Sequence, residues 1–307
     1  MTAQEHMLAV NGIEIHAEEF GDPAHPPVLL VMGSMSQGAA WPDALVGRIA
    51  AAGYRVVRYD HRDTGRSSAI DFAAAPYTWE AVRDDALGVL DALGIASAHL
   101  VGHSAGGLLA QWIAAVRPER VRSLTAIGSS PLGRGEGKVI MRALAGEAQP
   151  EGSLPGPKAE FVELFRKAFA APPEGREELI AFQVETARVL NGPNLPFDAD
   201  AQRRLEERLL DRDRDPATVA NHRLAAAADP DFEPVGLLPG ITAPTLVMEG
   251  ACEPVKPGHG PLIAAEIPGA RMRFVEDMGH LIAPEAVAEV AGAVLEHLAA
   301  ADRRAAG

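Results

Sequence analysis

The chain has 307 residues, 47% of them hydrophobic, and a formal net charge of −14. That length suits one large α/β domain with an insertion, or two smaller domains, and its core needs no covalent staples. The acidity repels phosphate backbones and no Lys/Arg stripe offsets it, so nucleic acid is not an expected partner. The single cysteine, Cys252, leaves no internal disulfide and fits a reducing compartment. The opening MTAQEHMLAV is too short and polar for a secretory signal, and no run approaches the roughly 20 apolar residues that span a bilayer. The expectation is a soluble cytoplasmic protein with no membrane partner; nothing in the sequence bears on its oligomeric state.

Taken in order, residues 7–20 read as a hairpin, with Asn11-Gly12 supplying the positive backbone angles of a tight turn. PVLLVMG at 27–33 is a continuous apolar run, as expected of a strand buried on both faces. WPDALVGRIAAAG at 41–53 has helical spacing and stops at a glycine. YRVVRYD at 54–60 is the next strand, and residues 78–94 form a helix with Thr78 expected as its N-cap. HLVGHS at 99–104 is a strand, followed by a helix over 106–118. SLTAIG at 123–128, TLVMEG at 245–250 and RMRFVE at 271–276 are further strands, and residues 284–300 are a closing helix. The alanine-rich tail AAADRRAAG is expected to fray.

This alternation predicts a mostly parallel sheet with helices on both faces. One interval breaks it. Residues 131–239 hold four or five helical segments, split by the breakers EGSLPGPK, APPEG and NGPNLPFD, and no convincing strand. Strands of one sheet lie on both sides, so the expected organisation is a core of 1–130 with 240–307 and an inserted helical lid over 131–239.

Gly102-His103-Ser104-Ala105-Gly106 sits where a strand gives way to a helix. A Gly-x-Ser-x-Gly match alone is only a hypothesis, but a strand before and a helix after are the context of a nucleophile elbow. So sharp a turn strains its apex, and small residues at 102, 105, 106 and 107 remove the collisions. The turn lifts the Ser104 hydroxyl clear of the sheet and aims the Ala105 N–H and the helix dipole at any oxyanion formed there.

A serine needs a base. The usual chain order on this architecture is serine, acid, histidine. Of ten histidines, His280 lies after the last strand and before the last helix. The loop after TLVMEG, ACEPVKPG, has one carboxylate, Glu253, to orient His280 and stabilise the imidazolium. The second oxyanion donor is expected from the loop after PVLLVMG, as the N–H of Ser34. Each component reaches a strand's carboxyl end, where open α/β sheets hold ligands.

Together these segments resemble the α/β-hydrolase fold family over about residues 7–300. VMGSMSQGAAWPD, RYDHRDTGRSS, DFAAAPYT, PTLVMEG and DMGH look most like the anthracycline (aclacinomycin-type) methylesterases. The resemblance implies a serine hydrolase that removes a methyl ester from a polyketide-derived substrate without a cofactor. It carries the nucleophile over to Ser104, the base to His280, and the oxyanion donors to Ser34 and Ala105. Two positions depart from the wider family: the acid is Glu253 where Asp is usual, and the oxyanion loop begins Met32-Gly33 where His-Gly is frequent, the latter as in the esterase group.

Several residues carry plainer alternatives. Asp277, three residues before His280, is a rival carboxylate expected to point elsewhere. His103 lies on the opposite strand face from its neighbour, which favours packing or hydrogen bonding. Asp60, Arg62 and Asp63 read as a structural loop network. Cys252 and His259 fall short of a metal site, GSMSQG lacks the Lys-Ser/Thr pair of a phosphate loop, and GRGEG at 133–137 has the wrong spacing for a dinucleotide fingerprint. Phe161, Phe165 and Phe169 recur every four residues as one helical stripe, for lid packing or for lining an apolar pocket. With Met35 and Trp41 beside the oxyanion loop, they are the candidate substrate contacts. The expected activity is ester hydrolysis on a small-molecule substrate. Lactone opening, cofactor-free perhydrolysis and a non-catalytic binding role are the alternatives.

Overall fold

The computed structural model describes residues 2–228 and 234–306; residues 229–233, inside the expected lid interval, lie outside the described residues, as do Met1 and Gly307. Among the described residues eight strands form one sheet: β1 (Gln4–Val10), β2 (Ile13–Phe20), β3 (Pro27–Val31), β4 (Arg55–Tyr59), β5 (Ala98–His103), β6 (Val121–Ile127), β7 (Thr245–Gly250) and β8 (Arg271–Val275). Their spatial order is β1-β2-β4-β3-β5-β6-β7-β8. The β1–β2 and β2–β4 pairs are antiparallel and every pair from β4–β3 onward is parallel. The hairpin turns at Asn11 (φ 49°) and Gly12 (φ 82°), the pair of positive angles that a two-residue hairpin loop requires.

Among the described residues the α-helices are, in chain order, α1 (Asp43–Ala51), α2 (Trp79–Ala92), α3 (Ala105–Val116), α4 (Glu136–Ala145), α5 (Ala159–Ala170), α6 (Gly175–Asn191), α7 (Ala199–Arg212), α8 (Asn221–Ala228), α9 (His259–Glu266) and α10 (Val287–Ala306). Strand β3 and the Leu100–Val101 centre of β5 are apolar on both faces because both faces are covered. Leu29, Leu100 and Val31 pack with α2, α3 and α9, while Val28, Leu30 and Val101 pack with α1 and α10. Between β6 and β7 the described residues are helical or irregular, and α4 to α8 lie there. No described helix is long and apolar enough to cross a membrane.

Two local expectations need correction. Thr78 holds the N-cap position of α2 with extended backbone, but its side chain makes no capping hydrogen bond. The C-terminal tail does not fray at its alanines: α10 continues to Ala306. Alanine is the strongest helix former, Ala301 is buried, and Asp302 accepts from the Tyr54 hydroxyl (3.3 Å) and meets His99 Nε2 (3.1 Å), so the tail is anchored to the sheet.

Candidate active site

β5 ends at His103, α3 begins at Ala105, and Ser104 between them has φ 55° and ψ −123°. A non-glycine residue keeps such angles only where its surroundings over-determine them. They do. The Ser104 N–H is tied to the Ile127 carbonyl at 2.9 Å. A Cβ on Gly102 would strike the Gly106 carbonyl, one on Gly106 the Val31 carbonyl, and one on Gly107 the Ser129 side chain at 2.6 Å. The elbow glycines are therefore steric requirements. Gly33 approaches from the β3 loop: a Cβ there would sit 3.1 Å from Ser104 Cβ and 3.7 Å from Oγ.

The acid and the histidine are joined. His280 Nδ1 lies 2.8 Å from Glu253 Oε2, with both side chains buried. The other carboxylate oxygen accepts the N–H groups of Val255 (2.8 Å) and Lys256 (3.2 Å). Burial alone would raise the Glu253 carboxyl. The charge and hydrogen bond of His280, with the Val255 N–H and the Lys256 charge, outweigh it and lower the pKa to about 2. A carboxylate against Nδ1 favours the tautomer with the proton on Nδ1, which leaves Nε2 as the acceptor. The pair rests on the end of β6, where a Cβ on Gly128 would meet His280 Nδ1 at 3.2 Å and Glu253 Oε2 at 3.3 Å. The Ser104 backbone N–H is tied to the adjacent residue of the same strand, Ile127. Asp277, the rival, has φ 60° and accepts from Asn194 Nδ2 at 2.7 Å.

His103 hydrogen-bonds the His280 carbonyl through Nε2 at 2.8 Å. Burial, with the His280 charge adding to it, lowers its pKa to about 3, so it is neutral and acts on the His280 backbone.

The N–H groups of Ser34 and Ala105 have no hydrogen-bond partner among the described residues. The neighbouring N–H, that of Met35, is turned to His222 Nδ1 at 2.9 Å, and Met35 itself has φ 61°. His222 belongs to α8, and its Nε2 donates to the Arg62 carbonyl at 3.0 Å. Burial and the neighbouring His61 lower its pKa to about 3, which keeps Nδ1 an acceptor.

The remaining sequence candidates divide. Trp41 is 1% exposed and packs among Leu45, Val46 and Ile49, with the His103 ring 6.1 Å away. Phe161 and Phe165 stack at 4.5 Å, and Phe165 meets Phe182 of α6 at 5.7 Å, joining two helices of the interval. Phe169 is 48% exposed, with the Arg223 guanidinium 5.9 Å from its ring. Asp60 accepts from the Gly38 and Arg66 N–H groups, Arg62 grips Asp85 at 2.6 and 2.8 Å, and Asp63 binds the Ile70 N–H and the Tyr77 hydroxyl, which is a structural network. His259 Nδ1 meets Ser130 Oγ at 2.8 Å, and no group of three or more His, Cys, Asp or Glu among the described residues could hold a metal ion.

Sequence reasoning passed over Lys256. Its Nζ lies 3.1 Å from Ser104 Oγ and 2.9 Å from Glu136 Oε1, and its side chain is 2% exposed. Among the described residues this is the hydrogen bond that Ser104 Oγ makes; none joins it to His280. A lysine three residues past the acid was the only signal, and nothing in the sequence says where its amine reaches.

A sequence profile described as alpha/beta hydrolase fold matches residues 26–287. The chain belongs to the α/β-hydrolase fold family. Rhodomycin D methylesterase DauP of Streptomyces sp. (strain C5) and rhodomycin D methylesterase DnrP of Streptomyces peucetius are each 38% identical to it over 300 residues, covering 96% of this chain and 98% of theirs. Among solved structures, a hydrolase from Pseudomonas aeruginosa superposes with a TM-score of 0.70 at 26% identity, covering 96% of this chain and 98% of its own.

Proposed function

We propose that this hydrolase cleaves a methyl or other small-alcohol ester of a bulky apolar acid through Ser104, His280 and Glu253. That it is a carboxylic-ester hydrolase follows from its full-length kinship with the two methylesterases. The observation that carries the mechanism is the strained Ser104 apex beside the buried Glu253–His280 pair. His280 Nε2 takes the hydroxyl proton as Oγ attacks the ester carbonyl. The N–H groups of Ala105 and Ser34 receive the oxyanion, and Glu253 stabilises the imidazolium. His280 then protonates the leaving alcohol and activates the water that frees the acid.

The helices of 136–228 are the lid in this reading. The bulky acyl part would rest beneath it, beside Met35 and the Phe161–Phe165 stack, and the small alcohol would leave past His280. Binding of the remote rings would then position the carbonyl, so truncated esters should lose turnover as well as affinity. The lone Cys252 and the acidic charge support a cytoplasmic enzyme without nucleic-acid partners.

The test compares a polycyclic methyl ester with short-chain nitrophenyl esters and macrocyclic lactones. Highest kcat/KM on the polycyclic ester is expected. If short esters win, the lid is not a selectivity device; if lactones win, the same side chains open rings instead. A serine-directed phosphonate that fails to label Ser104 would remove the nucleophile assignment altogether.

A further inference from the structure

Lys256 touches the nucleophile and is held there from the other side. Its ammonium spans Ser104 Oγ at 3.1 Å and Glu136 Oε1 at 2.9 Å, and its backbone N–H supports the acid Glu253 at 3.2 Å. Glu136 is the first residue of α4, just after Gly135 in the left-handed conformation. Burial would raise the Glu136 carboxyl. The Lys256 charge and hydrogen bonds from Ser130 and Lys256 overcome this and hold it below its ordinary value. Ser130 in turn meets His259 Nδ1 at 2.8 Å, and His259 Nε2 meets the Pro155 carbonyl at 2.9 Å. A chain of polar groups, buried except for the partly exposed Glu136, therefore fixes the amine against Oγ.

Stability does not account for such a pair. Desolvating two charges roughly cancels their attraction, and a well-packed apolar pair commonly does as well. What the arrangement supplies is a charged donor aimed at the attacking oxygen itself. As Oγ attacks, its proton passes to His280 Nε2 and negative charge grows on Oγ until the Oγ–C bond is made. When the acyl-enzyme is hydrolysed, that bond breaks and the electron pair returns to Oγ before His280 reprotonates it. A donor already oriented at that charge needs no reorganisation when the charge appears.

We propose that Lys256 is a catalytic residue whose ammonium stabilises negative charge on Ser104 Oγ as the Oγ–C bond forms and as it breaks, with Glu136 as its positioning residue. Lys256 keeps its three protons throughout, and His280 remains the base. The proposal rests on Ser104 being the nucleophile of an esterase.

The test uses the full chain with Lys256→Met, an unbranched side chain one atom shorter that removes the charge, and with Glu136→Gln. Three quantities are read: kcat and KM on a methyl ester, and the rate at which a small serine-directed phosphonate labels Ser104. Phosphonylation needs attack by Oγ and no contact with a lid. Lys256→Met is expected to lower kcat and the labelling rate together by about 100-fold, the scale of one lost charge-stabilising donor, with KM within about threefold. Glu136→Gln should lower the same two quantities by about tenfold, since the amine stays but is less well held. Circular dichroism and thermal unfolding establish that the variants are folded; should Lys256→Met fail to fold, Glu136→Gln decides by the same readouts. Activity within about threefold of wild type overturns the proposal, and so does a rise in KM with labelling unchanged, which would make Lys256 a substrate contact. A wild-type protein that neither hydrolyses esters nor takes up the phosphonate overturns the esterase mechanism itself, a result distinct from failure at Lys256 alone.

Discussion

The sheet and the helical interval are held by different physics. Strands β3, β5 and β6 bury almost every side chain, and Val28, Leu29, Leu30, Val31, Leu100 and Val101 are each 0% exposed. Helices α4 and α5 bury one residue each, Val139 and Phe161, and α7 buries none. The interval is tied down by polar seams instead. Glu136 meets Lys256, Arg212 meets Asp60 at 3.1 Å, the Gly65 N–H meets Asp213 at 2.5 Å, His222 meets the Met35 N–H, and the N–H groups of Gly279 and Leu281 meet the carbonyls of Asn191 and Leu190. Those at Lys256, Met35, Gly279 and Leu281 end on loops that carry the candidate site, and those at Asp60 and Gly65 on the loop after β4. The sheet supplies rigidity through apolar packing, and the helices reach the chemistry through directional contacts, each of which can be removed singly.

The largest expected effect lies on the sheet side. Ser104→Ala should lower ester turnover by at least about four decades while leaving thermal unfolding near wild type, because the hydroxyl is a reactant and the elbow is held by its glycines. Turnover close to wild type in purified Ser104→Ala would end the mechanism. Next comes the acid. Glu253→Gln should cost about three decades in kcat, since an amide cannot stabilise the imidazolium and presents its other end to the Val255 and Lys256 N–H groups. Glu253→Asp should lose about tenfold or more, because this loop places the backbone for the longer side chain. Retention of most activity in Glu253→Gln would mean that another group serves His280.

The same contrast explains what was legible in the sequence. Strands buried on both faces read as continuous apolar runs, and a steric demand such as that of Gly106 against the Val31 carbonyl can be met only by glycine, so it shows in the sequence. The Glu253–His280 contact, which chain order on that sheet led us to expect, is present at 2.8 Å. The seams were not legible. Lys256 reaches Ser104 across 152 residues and His222 reaches Met35 across 187, and no local pattern marks either pair. The Phe161, Phe165 and Phe169 stripe read correctly as a helix face, yet its partner Phe182 belongs to another helix and could not be inferred from periodicity. The packing of Trp41 against Leu45, Val46 and Ile49 of α1 is likewise a tertiary contact that its place near the oxyanion loop does not announce.

A middle-sized effect should come from cutting one seam. His222 accepts the Met35 N–H, which fixes a strained residue next to Ser34. His222→Leu removes the acceptor and leaves the loop free to turn, so kcat should fall by about tenfold as an oxyanion donor loses its position, with KM little changed. His222→Asn, whose side-chain oxygen can still accept, should recover part of the loss. Equal loss in both variants would assign the effect to packing against Trp79, whose ring lies 5.6 Å away, and not to the hydrogen bond.

The smallest effect concerns stability alone, at the seam where α7 ends. Asp213 accepts the Gly65 N–H at 2.5 Å and Gln37 Nε2 at 3.2 Å. Burial raises its carboxyl to a pKa of about 6; the Gly65 hydrogen bond and Arg212 pull it down, and the Asp60 charge adds to the rise. In the unfolded chain the same carboxyl titrates near about 3.9. Between those values the folded state binds more protons than the unfolded state, so the contribution of Asp213 to stability is full below about pH 4 and is lost as pH rises through about 6. Asp213→Asn has no proton to lose and can still accept from Gly65. The difference in urea midpoint between variant and wild type should therefore move in favour of the variant from pH 4 to pH 6 and level off above pH 7, while groups common to both cancel. A difference that stays constant across this range would mean that Asp213 is solvated in the folded protein, and that this seam is looser than those at Lys256 and His222.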